Sequence, residues 1–341
     1  MVEEQLKMWR RNPVTQEELD YPITREEVFR AMRRLKLGKA PGVDGIRTDI
    51  LKHAAAAVYT NRLRQDNTVI DALTLFFNYV LETEVWPARW KEGVIFPLHK
   101  DDSRLDPGNY RPITLLSVIG KLFGQILNSR LQQWTEDNGK VADEQGGFRS
   151  KRGTPDQIFL LREILTSRRD EGRDTFVTYI DARKAYDTVW REGNYVKIRQ
   201  MGVRGRLWRQ LQKMNEGLTR KVRLPIGETE EFGVGRGVAQ GAVESPWLYS
   251  CFINDLAEEL KKRHFGVVIA GVRVPLLMYA DDVVMLANGP TELQQMNAIA
   301  TAFARSNRFR FNGGKSAAPE RQRPEQRPAE GRGPCLAKQC R

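Results

Sequence analysis

The chain has 341 residues, 40% of them hydrophobic, which is enough for a sizeable core and for two domains or one lobed domain. A net charge of +12 favours a polyanionic partner, nucleic acid ahead of an anionic membrane surface. Three cysteines (Cys251, Cys335, Cys340) and three histidines make neither a disulfide framework nor a zinc spacing, and no signal peptide or membrane-length apolar run is present. The expectation is therefore an intracellular protein, nuclear or cytoplasmic, not secreted, with no membrane partner.

Taken in chain order, the first marked element is the helix "ITREEVFRAMRRLK", opened by a capping box of Thr24 and Glu27 with Val28, Met32 and Leu35 on one face. It runs into "LGKAPGVDGI" (37–46), a turn-rich loop set by Gly38, Pro41, Gly42 and Gly45. A second helix is predicted from Thr68 to Glu84, with Val69, Leu73, Phe76, Phe77 and Val80 as its apolar stripe. "GVIFPLHK" reads as a strand, "DDSRLDPGNYRPI" as a polar loop, and 116–134 as a helix. Residues 175–189 read as a strand entering a helical turn. Short strands follow between Arg220 and Val238, and then a helix from Ser245 to Arg263, capped by Ser245 with Pro246 at its first position. Strands and helices mix without regular alternation, which points to an α+β fold. After Ser316 the chain turns Pro/Arg-rich with few large apolar side chains. The composition predicts a disordered tail over 317–341.

"LLMYADDVVMLA" (276–287) sets two adjacent carboxylates, Asp281 and Asp282, in an apolar strand-like run. Repulsion and desolvation oppose that arrangement unless a cation sits between them and a partner. "FVTYIDARKAYD" supplies the partner, because Asp181 closes the apolar run that starts at Phe176. A lone strand-end Asp is ordinarily a turn residue. Three carboxylates on neighbouring strands can instead hold two divalent ions about 3.5–4 Å apart. Oxygen ligands suit Mg2+ or Mn2+, and such a pair serves nucleotidyl transfer.

These segments, with "GVAQGAVESPWLYSCFINDL" between them, resemble three successive polymerase motifs of reverse transcriptases. "KLGKAPGVDGI", "PARWKEGVIFPLHK", "NYRPITLLSVIGKLFGQIL" and "EQGGFRSKRGTPDQI" resemble the fingers of non-LTR (LINE-type) retrotransposon reverse transcriptases, over residues 24 to 316. The resemblance implies right-hand polymerase fingers and palm and an RNA-directed DNA polymerase that adds dNTPs to a primer 3′-OH on an RNA template. It implies two Mg2+ (or Mn2+) ions held by Asp181 and Asp281, with Asp282 in support and the carbonyl of Ala182 as a further ligand. Tyr186 would exclude a 2′-hydroxyl, Gln240 and Gly241 would contact the nucleotide and template base, and Lys100 and Arg111 would embrace the triphosphate. Lys315 would protonate the leaving pyrophosphate. On the same basis 1–23 is an N-terminal extension, 24–170 fingers and 171–316 palm, with primer grip and thumb absent from the sequence.

Glu244 departs from the family pattern, as an acid near a triphosphate site that must face away from it. The missing thumb supports an alternative, a truncated remnant that binds RNA or DNA without polymerising. A group II intron maturase is a further alternative, and would need a splicing domain that the sequence lacks.

Overall fold

The structure is a computed structural model that describes residues 1–60, 67–100 and 102–312. Lys315 and the expected disordered tail lie outside the described residues. The N-terminal third is helical: α1 (Val2–Arg11), α2 (Glu17–Asp20), α3 (Arg25–Arg34), α4 (Thr48–Thr60), α5 (Thr68–Thr83) and α6 (Ala88–Lys91). A hairpin of β1 (Glu92–His99) and β2 (Tyr110–Leu116) leads into α7 (Val118–Asp137) and α8 (Thr154–Asp170). Next come β3 (Phe176–Asp181), α9 (Ala185–Thr188), α10 (Arg191–Met201) and α11 (Gly205–Lys213). The short strands β4 (Thr219–Leu224), β5 (Gly227–Glu228) and β6 (Phe232–Gly233) precede α12 (Ser245–Lys262). The described part closes with β7 (Val267–Ile269), β8 (Val272–Val274), β9 (Leu276–Tyr279), β10 (Asp282–Ala287) and α13 (Pro290–Ser306). The mixture is α+β, as the sequence implies.

Two sheets organise the site. One has the order β2-β1-β4-β5, with β6 also on β4, and the other the order β3-β10-β9. In the second, β10 is antiparallel to both neighbours, and its residues alternate between two cores. Val283, Met285 and Ala287 enter the main core, whereas Leu286 joins Ile164, Val177, Val267 and Leu277 in a smaller one beneath α8. Burial on both faces is why "VVMLA" reads as an unbroken apolar run rather than an alternating one.

The capping box at α3 forms as predicted, with Thr24 Oγ1 accepting from the Glu27 N–H at 3.3 Å and Glu27 Oε2 accepting from the Thr24 N–H at 2.9 Å. Three expectations need correction. The buried face of α5 is Ile70, Leu73, Phe77, Val80 and Leu81, while Val69 and Phe76 are exposed, so the stripe is rotated toward the helix face that meets α3 and α11. The polar loop after β1 ends sooner, since Tyr110, Arg111, Pro112 and Ile113 are strand. Pro97 and Pro112 face each other in the ladder, a pair that neither ring could join by an N–H bond. Finally, Ser245 does not cap α12. It is the first helical residue, and its hydroxyl donates to the Ala239 carbonyl at 2.9 Å, tying the preceding loop to the helix.

Candidate active site

Asp181 is the last residue of β3 and pairs directly with Asp282, the first residue of β10. Like charges facing across a ladder are destabilising, so the register itself calls for a cation or a solvent-exposed rim. Asp282 is exposed, whereas Asp181 and Asp281 are half-buried. Because Asp282 also pairs with Tyr279, only Ala280 and Asp281 form the hairpin turn, and Ala280 takes the left-handed conformation (φ +60°). Such a two-residue turn matches strand twist, at a cost for any residue with a Cβ.

Asp181 and Asp281 open onto a cleft of about 1970 Å³ between the two sheets. Of the other residues singled out from the sequence, Ala182, Tyr186, Lys100, Arg111, Gln240 and Gly241 also line it. Asp282 is not among the lining residues, and Lys315 lies outside the described residues. Asn312, which sequence reasoning missed, also lines it. Its backbone N–H donates to the Asp181 carbonyl at 2.8 Å and its side-chain amide to Asp181 Oδ2 at 3.4 Å. Arg183, Lys184 and Asp187 are lining residues that went unremarked as well.

Each side of the cleft is built by local bonds. Arg111 projects from β2, and Lys100 follows β1, its N–H donating to the Asn109 carbonyl at 2.9 Å. The loop that carries Gln240 docks on β2 through Thr114 N–H donating to the Gln240 carbonyl, also at 2.9 Å. Gly241 has φ +128°, and a Cβ there would fall 2.6 Å from the Thr114 carbonyl oxygen. Glycine is thus required by the chain's own backbone, whatever else approaches it. The Gln240 amide donates to Asp187 Oδ1 at 3.4 Å. Behind this loop, the Arg191 guanidinium is buried and donates to the carbonyls of Gly237, Asn215, Val234 and Arg236.

Tyr186 stacks on Tyr249 with ring centroids 5.6 Å apart and planes 10° from parallel. Burial, with the Asp281 charge adding to it, pushes the Tyr186 hydroxyl up to about 12. Tyr249 is also pushed up, first by burial and then by the charges of Asp281, Tyr186, Asp181 and Asp282. All three carboxylates therefore act on one buried ring. Glu244 faces away, as its departure from the pattern demands. Its carboxylate packs against Gly124 of α7, and burial raises its pKa although Lys121 and Arg220 oppose that rise.

Among the described residues, no group of three or more His, Cys, Asp or Glu side chains converges as a ready metal cage. The donor set expected at the cleft is the Asp181 and Asp281 carboxylates and the Ala182 backbone; Asp187 also lines it but accepts from the Gln240 amide. The neighbouring bonds, Arg183 N–H to Arg310 and Asn312 N–H to Asp181, do not use the Ala182 carbonyl. An open, all-oxygen set of that kind fits a Mg2+ ion that takes its remaining ligands from substrate phosphates and water.

The family profile described as reverse transcriptase (RNA-dependent DNA polymerase) matches residues 98–324. The chain is 30% identical over 269 residues to the probable RNA-directed DNA polymerase from transposon BS of Drosophila melanogaster, covering 78% of this chain and 28% of that protein. It is 31% identical to the probable RNA-directed DNA polymerase from transposon X-element of the same organism, covering 71% of this chain and 26% of that protein. It is 27% identical to the retrovirus-related Pol polyprotein from type-1 retrotransposable element R2 of Popillia japonica, covering 86% of this chain and 39% of that protein. The chain thus spans about a quarter to two-fifths of these relatives' lengths. In fold it is similar to apo telomerase from Candida tropicalis truncated from the C-terminal domain, with a TM-score of 0.50 at 13% identity over 79% of this chain and 59% of that one.

Proposed function

The chain belongs to the reverse transcriptase family, and we propose that its cleft adds deoxynucleotides to a primer 3′-OH on an RNA template. The observation that carries this reading is the meeting of Asp181 and Asp281 with Lys100, Arg111 and Tyr186 in one cleft, although these residues come from both sheets.

Asp181, Asp281 and the Ala182 carbonyl would hold divalent metal, with Asp282 supporting from the exposed rim. When bound, such ions lower the pKa of the attacking hydroxyl and neutralise charge developing on the leaving pyrophosphate. The protein's own residues bind and orient. Arg111 offers a planar fork to phosphate oxygens, and Lys100 a mobile point charge. Tyr186 is held by its stack on Tyr249, so its ring cannot swing aside and excludes a 2′-hydroxyl sterically. Gln240, fixed by its backbone bond to Thr114, presents its side chain to the base pair. Template RNA, DNA primer and dNTPs are the partners this reading requires. Among the described residues, no helix is long and apolar enough to cross a membrane.

Primer extension on poly(rA)/oligo(dT) with dTTP tests the reading. Mg2+-dependent extension is expected from the wild-type chain, with loss of at least about a hundredfold in Asp181→Asn and Asp281→Asn. Salt-sensitive binding of the primer–template without extension would favour a binding remnant instead.

A further inference from the structure

The strained turn that carries Asp281 is gripped from outside its own hairpin. Residues 144–147 lie beside β9 as an extra parallel segment, with Gln145 opposite Met278. The Met278 N–H donates to the Glu144 carbonyl at 2.9 Å, and the Gly146 N–H donates to the Met278 carbonyl at 2.8 Å. The Gln145 side chain is fully buried (0% exposed) and points at the turn. Its Oε1 accepts from the Ala280 N–H at 3.0 Å and from the Gly147 N–H at 2.8 Å, while its Nε2 donates to the Ala280 carbonyl at 3.3 Å. One carboxamide therefore satisfies both backbone groups of the left-handed residue. A carboxamide presents donor and acceptor side by side without ionising, which is what the two Ala280 groups require.

Close approach is built in as well. A Cβ at Gly147 would fall 2.2 Å from the Ala280 nitrogen, so the segment sits directly against the turn. The segment is itself anchored to two long helices. Arg149 donates to both Glu136 oxygens on α7, at 2.7 and 2.6 Å, and to the carbonyls of Ala142 and Gln145. The Ala142 N–H donates to Asn254 on α12 at 2.8 Å, and Lys261 of α12 pairs with Glu144 at 2.7 Å. The turn is thus tied through Gln145 to the body of the molecule and not only to its own two strands.

We propose that Gln145 is a positioning residue for nucleotidyl transfer: its carboxamide locks the Ala280 peptide groups and so aims the Asp281 carboxylate into the cleft. The proposal rests on the reading that Asp281 acts on metal there. A left-handed alanine released from this bond relaxes toward the commoner conformations, and Asp281, the next residue, turns with it. Partners that orient a metal ligand in this way commonly account for about 10–100-fold in affinity or activity.

The test compares the wild-type chain with Gln145→Met, Gln145→Glu and Asp281→Asn. Met keeps the volume and loses all three bonds, while Glu keeps an acceptor for the Ala280 and Gly147 N–H groups and, when ionised, loses the donor to the Ala280 carbonyl. Amide hydrogen exchange reports the turn, Mn2+ titration followed by EPR reports the site, and dTTP incorporation separates kcat from KM. For Gln145→Met we expect exchange at least about tenfold faster at Ala280 with α7 protection unchanged. Mn2+ affinity and kcat should each fall about 10–100-fold, with the KM for dTTP unaltered. Gln145→Glu should fall between Met and wild type. Unchanged exchange at Ala280, unchanged Mn2+ affinity in Gln145→Met, or global unfolding of both Gln145 variants would overturn the proposal. Asp281→Asn keeps the two failures apart. If it binds Mn2+ as the wild type does, the reading of the site fails. If it loses Mn2+ while Gln145→Met does not, only the role of Gln145 fails.

Discussion

Tyr186 combines two properties with separate tests. It is a ring stacked on Tyr249 that lines the cleft, and the proposed role is to exclude a 2′-hydroxyl there. Tyr186→Ala should narrow the preference for dTTP over UTP in kcat/KM by at least about tenfold, measured by single-nucleotide incorporation. As a phenol it resists ionisation, with a pKa of about 12 against about 10 in an unfolded chain. The folded state therefore holds this proton more tightly. Its contribution to stability is complete below pH 10 and is lost as pH rises from about 10 toward 12. Melting temperature should fall across that window, and Tyr186→Phe or Tyr249→Phe should flatten the fall. Tyr186 stood out through the resemblance to reverse transcriptase motifs, not through its own residue type. The sequence could not announce Asn312 or Gln145, because their importance lies in which atoms they reach across 131 and 135 residues of chain, the Asp181 carboxylate for one and the Ala280 backbone for the other.

At the scale of elements, buried arginines hold the irregular segments that regular hydrogen bonding leaves loose. Arg191 ties four carbonyls around the loop that leads into Gln240. Arg130 does the same at the N-terminal end, bonding Glu27 and the carbonyls of Leu19, Tyr21 and Pro22. Burial tends to raise the Glu27 carboxyl, but the Arg130 guanidinium and the cap bonds from Thr24 together outweigh it and hold the group below its usual value. Arg191→Met removes four guanidinium bonds, leaves the buried Gly237 carbonyl without that donor, and should cost about 3 kcal/mol, read by urea denaturation. A loss below about 1 kcal/mol would mean that water replaces the guanidinium. Where an element is set by neighbouring residues, the sequence shows it: the capping box of α3, and the existence of α7, predicted over 116–134 and found at Val118–Asp137. The face of α5 was misread because Val69 and Ile70 are equally apolar, and only α3 and α11 decide which of them is covered. The strand at Arg111 was hidden by Pro112, whose usual meaning is a loop but whose place opposite Pro97 costs no ladder bond.

Across the whole molecule, a chain of net charge +12 places its candidate chemistry between two separate sheets. Binding of a primer–template should weaken steeply with salt, with log K falling linearly against log salt at a slope of about −0.9 per duplex phosphate neutralised. Arg111→Ala should lower the affinity for dTTP, and a slope indifferent to salt would show that the charge excess plays no part in binding. The two acidic strands and their order were legible from the sequence. The α+β class was legible too, since it needs only the mixture of periods. The arrangement of β1, β2 and β4 beside the acidic strands was not, because β1 and β4 pair across more than a hundred residues. The most direct test of the central claim is anomalous diffraction from crystals grown with Mn2+, primer–template and dTTP. The account predicts manganese bound by both Asp181 and Asp281, with the triphosphate against Lys100 and Arg111. Manganese and triphosphate held elsewhere, with these carboxylates untouched, would contradict it.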